Sequence, residues 1–91
     1  MNNIIVFTLT GCKYCIELKE MLNQEMIEYI DINVDDNEEI WTQVVNQTGH
    51  NSLPTVYIEF KGKEEGPVFV PERDFNSNEE IIEIIKNYIT E

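Results

Sequence analysis

"IIVFTLTGCKYCIELKEML", residues 4–22, joins two hydrophobic patterns through a glycine and a pair of cysteines. Ile4 to Phe7 is a short continuous apolar run, as expected of a strand covered on both faces. Gly11 interrupts the run. From Cys12 onward the period changes: Cys15, Leu18 and Leu22, with Tyr14 and Met21 beside them, fall on one helical stripe. The stretch therefore reads as strand, turn, helix, with Cys12 and Cys15 at the point where the helix opens.

Downstream of this unit, "YIDINV" (residues 29–34) alternates, with Ile30, Ile32 and Val34 on one side and Asp31 and Asn33 on the other, which predicts a second strand. "DDNEEIWTQVVNQTGH" (residues 35–50) predicts a helix. Asp36 and Glu39 have capping-box spacing, Ile40, Trp41, Val44 and Val45 form the apolar face, and Gly49 supplies a left-handed stop. Trp41 is expected to anchor the core from that face. "PTVYIEF" (residues 54–60) predicts a third strand, "KGKEEG" (residues 61–66) a turn and "PVFV" (residues 67–70) a fourth strand. The last belongs at an edge, because Pro67 cannot donate to a ladder. Ser77 and Glu80 again have capping-box spacing and open a final helix, with Ile81, Ile82, Ile85, Tyr88 and Ile89 facing inward.

The order is β-α-β-α-β-β-α. A helical connection between the first two strands makes them parallel with a right-handed crossover, and the turn between the last two makes them antiparallel. The expectation is an α/β fold: a mixed four-stranded sheet flanked by three helices, formed by residues 1–91 as a single domain.

Ninety-one residues suffice for one modest core. Hydrophobic residues make up 42% and charged residues 26%, the balance of a globular chain rather than a disordered one. No apolar run approaches the ~20 residues of a bilayer span, and the start "MNNIIVF" lacks the features of a secretory signal. No membrane association and a cytoplasmic, reducing location are therefore expected. There a CxxC pair is more often catalytic or metal-binding than structural. The formal net charge is −12, from 18 acidic and 6 basic residues, which argues against nucleic acid as a partner. Most of this acidity reads as a solvated surface; it would also repel small anions and attract basic patches on protein partners.

The cysteine pair has three candidate uses. A structural disulfide would close so small a loop that it would constrain the unfolded chain little. A structural zinc site needs four ligands, and the chain offers Cys12, Cys15 and the single histidine, His50, which reads as a loop residue after Gly49. Redox chemistry fits better. Only ~3% of an ordinary thiol is ionised at neutral pH, but Cys12 sits where unpaired helix N–H groups and the macrodipole converge, with Lys13 adding a cation. Cys12 is thus the expected nucleophile. Cys15, one turn on and facing inward, is kept neutral by burial until it displaces whatever Cys12 has attacked.

The residues around these cysteines resemble the glutaredoxin family, within the thioredoxin-like fold. The resemblance rests on "TGCKYC" (residues 10–15), where the family usually shows Cys-Pro-Tyr-Cys, and on "NQTGHNSLPTVYI" (residues 46–58), which is similar to the family's segment ending in Thr-Val-Pro before a strand. It covers about Ile4 to Phe60 well and the remainder poorly. It implies a glutathione-dependent dithiol–disulfide oxidoreductase that reduces protein disulfides or protein–glutathione mixed disulfides. Glutathione is then a co-substrate, no cofactor is tightly bound, and a monomer is expected. Residue by residue, Cys12 would be the glutathionylated nucleophile, Cys15 the resolving thiol and Tyr14 a glutathione contact. Pro54 would be a cis-proline facing the disulfide, and Leu53 would pair its main chain with the cysteine of glutathione.

Three departures accompany the resemblance. Leu9 stands where the family often has a lysine that holds a glutathione carboxylate. Lys13 replaces the usual proline and is expected to substitute electrostatically for that lysine. "PERDFNSNEE" (residues 71–80) replaces a Gly-Gly and short polar pair; here Ser77 and Asn78, at the helix N-terminus, either receive the γ-glutamyl carboxylate or simply cap the helix. Other functions stay open: the same chemistry recharged by a flavoprotein reductase, a glutathione-bridged dimer holding an iron–sulfur cluster through Cys12, or a redox-inert interaction domain.

Overall fold

Strand β1 (Asn2–Thr8) runs through the middle of a four-stranded sheet of order β2-β1-β3-β4. The computed structural model describes residues 2–62 and 66–89. Within them, helix α1 spans Lys13–Gln24, β2 Ile30–Asn33, α2 Glu38–Thr48, β3 Thr55–Phe60, β4 Val68–Phe69 and α3 Asn78–Ile89. The predicted element order is therefore realised. β1 and β2 are parallel, with Ile5 opposite Ile30, and β3 is antiparallel to both β1 and β4. The predicted turn after β3 falls partly on residues 63–65, outside the described residues.

Alternation along β1 divides its side chains between two layers. Ile4 and Val6 point toward α1 and α3, in a cluster with Leu18, Leu22, Val56, Ile58, Phe75, Ile81, Ile82 and Ile85. Phe7 points the other way and meets Trp41 of α2, with ring centroids 5.6 Å apart. The helical stripe of α1 is as expected: Cys15, Leu18 and Leu22 are all buried. At the far end of α1, Glu25 forms an ion pair with Lys86 of α3.

Several local expectations are corrected. Helix α2 starts after Asn37 and has no side-chain cap; Asp36 lies outside it. The Asn37 side chain instead donates to the Asn33 carbonyl at 2.9 Å, and the Asp35 N–H donates to Asn33 Oδ1, so this turn is held by asparagines. No residue of α2 is buried. Trp41 is half-buried and Ile40 is exposed: α2 packs where Trp41 meets Phe7, on the face of the sheet away from the main cluster. Gly49 does stop α2 at φ 72°, donating to the Val45 carbonyl. Ile30 lies at the open end of the edge strand β2 and is exposed, and Ile89 is exposed on the last turn of α3. Tyr88 is half-buried between Phe60 and Phe69, 5.9 Å from each.

Candidate active site

Gly11, at φ 84°, turns the chain from β1 into α1, a conformation that costs a glycine little. The turn is closed by the Cys12 N–H donating to the Leu9 carbonyl at 3.0 Å. Cys12 then occupies the N-cap of α1, and its Sγ accepts the Cys15 N–H at 3.3 Å. A side-chain oxygen usually takes that position; here sulfur does. The two cysteines are joined as a disulfide, with Cα atoms 5.2 Å apart. Cys12 is half-exposed, whereas Cys15 is 1% exposed. Lys13 points to solvent and makes no ion pair among the described residues.

Beside the disulfide lies a cleft of about 680 Å³. The first turns of α1 supply Tyr14 and Glu17, the approach to β3 supplies Ser52, Leu53 and Pro54, and the segment before α3 supplies Pro71, Glu72, Phe75, Asn76, Ser77, Asn78 and Glu79. The Leu53–Pro54 bond is cis. Pro54 is buried, Leu53 beside it lines the cleft, and among the described residues no hydrogen bond to the Leu53 main chain is found. Phe75, 4% exposed, belongs both to the core and to this wall.

The far wall is braced internally. Asp74 Oδ2 accepts the Val70 N–H at 2.8 Å and Arg73 Nε at 2.9 Å, while Arg73 Nη2 donates to the Val68 carbonyl. Partial burial pushes the Asp74 carboxyl up, but bonds from Arg73 and Val70, then the charges of Arg73 and His50, leave it below its ordinary value. Glu72, at φ 72°, carries the chain through this bend and donates its N–H to the Phe75 carbonyl. At the start of α3, the Glu80 N–H donates to Ser77 Oγ at 3.2 Å, and Glu80 Oε1 accepts the Asn76 N–H at 2.6 Å. The capping box is present but reaches back one residue further than its spacing suggests.

Of the residues singled out by resemblance, the structure brings Tyr14, Leu53, Pro54, Ser77 and Asn78 to one cleft; Lys13 is not part of its lining. Asn78 is buried, and its amide is committed to the chain itself, donating to the Tyr14 carbonyl and Glu17 Oε1. His50 is half-buried, in a turn held by Thr48, and does not line the cleft. Sequence reasoning missed Glu17, Glu72, Phe75 and Glu79. Glu17 had a signal, since it lies three residues beyond Tyr14 and so on the same helical face. Glu72 and Phe75 had none.

A half-exposed sulfur at a helix N-cap, a buried partner one turn on and a cleft lined by the intervening Tyr14 define a dithiol–disulfide site. The glutaredoxin family model matches residues 4–63. A glutaredoxin of Ricinus communis is 35% identical over 60 residues, covering 63% of this chain and 59% of that protein. Glutaredoxin 1 of Rickettsia typhi is 31% identical over 61 residues, covering 65% and 59%. The chain thus spans less than two thirds of the length of these relatives. Among solved structures, a buckwheat glutaredoxin–glutathione complex superposes with a TM-score of 0.60 at 24% identity, covering 94% of this chain and 70% of that one. Chloroplastic thioredoxin z superposes with a TM-score of 0.64 at 23% identity, covering 100% and 80%. The fold is thioredoxin-like. The chain belongs to the glutaredoxin family, a family of thiol–disulfide oxidoreductases.

Proposed function

We propose that this chain reduces disulfides in proteins, or protein–glutathione mixed disulfides, through Cys12 and Cys15, with glutathione returning the pair to its dithiol form. The observation that carries this reading is the asymmetry of the two sulfurs: Cys12 half-exposed at the N-cap, Cys15 sealed in the core with its N–H on the Cys12 sulfur. In the reduced form, a thiolate on Cys12 would accept that N–H and sit at the positive end of α1.

The chemistry follows from the placement. The Cys12 thiolate attacks one sulfur of the substrate disulfide, and the other sulfur leaves as a thiolate. Cys15 then gives up its proton and attacks the Cys12 sulfur, expelling the remaining substrate sulfur. Two electrons pass to the substrate, and the Cys12–Cys15 disulfide described above is the product. Two glutathione thiols reverse it and become glutathione disulfide. An extended substrate segment pairs with the Leu53 main chain during the exchange, and the presence of glutathione in the buckwheat complex supports glutathione as the recharging thiol.

Mass spectrometry after treatment with oxidised glutathione tests the assignment. Cys15→Ser should hold one stable glutathione adduct and Cys12→Ser none. An adduct on Cys12→Ser alone, or on neither variant, would sink the reading.

A further inference from the structure

The cleft beside the dithiol is negative. Glu17, Glu72 and Glu79 stand in its walls, and no described Lys or Arg lines it. Arg73 is paired with Asp74 and the Val68 carbonyl, Lys19 with Asp31 and Lys86 with Glu25, while Lys13, beside Cys12, and Lys61 are exposed and lie outside the cleft lining. The α3 N-terminus, where an anion would otherwise be welcome, already carries Glu79 and Glu80 in its first turn. Two nearby donors are also taken, the Glu80 N–H by Ser77 Oγ and the Asn76 N–H by the Glu80 carboxylate. A carboxylate entering here meets like charges and depleted donors.

The same walls suit a cation. Glu17 is fixed by the Asn78 amide at 2.8 Å, and Glu72 is held out by a main-chain bend braced through Asp74 and Phe75. Both residues are exposed and share the cleft lining with Leu53, against whose main chain an extended substrate would lie on the reading above. Side chains along such a segment alternate and advance ~3.4 Å per residue, so groups within a few residues of the attacked cysteine reach both walls.

We propose that this cleft selects, among polypeptide disulfides, those in basic segments, with Lys or Arg within a few residues of the cysteine, over those in acidic segments. The proposal rests on the oxidoreductase reading above and names its substrate class. Negative walls in a cleft that Tyr14, between the two cysteines, helps to line raise the local concentration of cationic substrates and lower that of anionic ones, an effect that salt screens.

Three synthetic peptides of equal length, each with one cysteine as a 2-pyridyl mixed disulfide, test it; Lys, Gln or Glu flank the cysteine. Pre-reduced protein is mixed with each in a single turnover, so no further reductant is needed. Cys12 displaces 2-thiopyridone, which is followed by absorbance, and Cys15 then releases the peptide thiol, leaving the Cys12–Cys15 disulfide. At about 20 mM salt the Lys peptide should react roughly tenfold faster than the Glu peptide, with Gln between them, and at about 500 mM salt the gap should fall below about twofold. Glu17→Gln/Glu72→Gln/Glu79→Gln should lose most of the preference. Glu20→Gln/Glu28→Gln/Glu39→Gln, an equal charge change outside the cleft, should keep it. Equal rates for the three peptides, a faster Glu peptide, or equal loss in both triple variants would overturn the proposal. If the wild-type chain releases no more thiopyridone from any peptide than Cys12→Ser does, the oxidoreductase reading itself fails.

Discussion

Asn78, at the start of α3, donates its side-chain amide to the main-chain carbonyl of Tyr14 at 3.1 Å. The same nitrogen reaches Glu17 Oε1 at 2.8 Å. Residues 64 positions apart are thus tied at the first turn of the helix that carries the cysteines. Removing the amide leaves a carbonyl and a carboxylate oxygen without this donor. Asn78→Ala should cost about 1–3 kcal/mol, measured as a lower urea midpoint for the oxidised protein, whereas the distant Asn46→Ala should not.

Phe75 joins the core to the cleft, so its loss should be felt twice. Phe75→Ala should destabilise the fold by about 3–5 kcal/mol, read from chemical denaturation. Phe75→Leu, which keeps most of the volume, should cost far less while still slowing thiol–disulfide exchange through the altered wall. Equal stability of the alanine variant would show that the side chain is not packed as described.

Gly66 sits against β3: a Cβ added there would overlap the Ile58 carbonyl oxygen. Main chain cannot step aside as a flexible side chain can. Gly66→Ala should therefore loosen the β3–β4 pairing and cost about 1–3 kcal/mol. Faster amide exchange at Ile58, whose N–H donates to the Pro67 carbonyl, relative to Val6, would localise the damage.

Asp31 supplies a pH dependence. Desolvation pushes its carboxyl up, but hydrogen bonds from Thr8 and Lys19 and the Lys19 charge bring it below the ordinary value. The folded state therefore holds this proton less tightly than the unfolded one. The resulting stability is present above the unfolded pKa, about 3.9, and is lost as pH falls through the lower folded value. Because the pair is partly exposed, with Lys19 Nζ 2.9 Å from the carboxylate, about 1 kcal/mol or less is expected. Thermal melts should show Asp31→Asn below the parent near neutrality, with the difference vanishing in strong acid.

Lys13 lies next to Cys12 and points to solvent. If its charge favours the thiolate of the reduced protein, Lys13→Ala should slow alkylation of Cys12 by neutral iodoacetamide about twofold at low salt. The difference should shrink at high salt. An unchanged rate would assign the helix N-terminus sole responsibility.

Much of this arrangement was legible where neighbours in sequence are neighbours in space. The apolar run at Ile4–Phe7, the stripe of Cys15, Leu18 and Leu22 and the alternation at residues 29–34 specify their elements through local periodicity, and the connections then dictate strand direction. Helix α2 was harder, because the apolar face of Ile40, Trp41, Val44 and Val45 signals burial that packing against Phe7, away from the main cluster, does not complete. The cysteines announced the site. Its walls did not: the commitment of Asn78 to Tyr14, and the bend that presents Glu72, depend on partners that no local pattern reveals.

Leu53 lies two residues before the start of β3, which is flanked by β1 on one side and β4 on the other and begins with the fully buried Thr55 and Val56. A substrate segment laid against Leu53, as proposed, would lie two residues from the first of these buried positions. Recognition of that kind would draw on the rigidity of the interior.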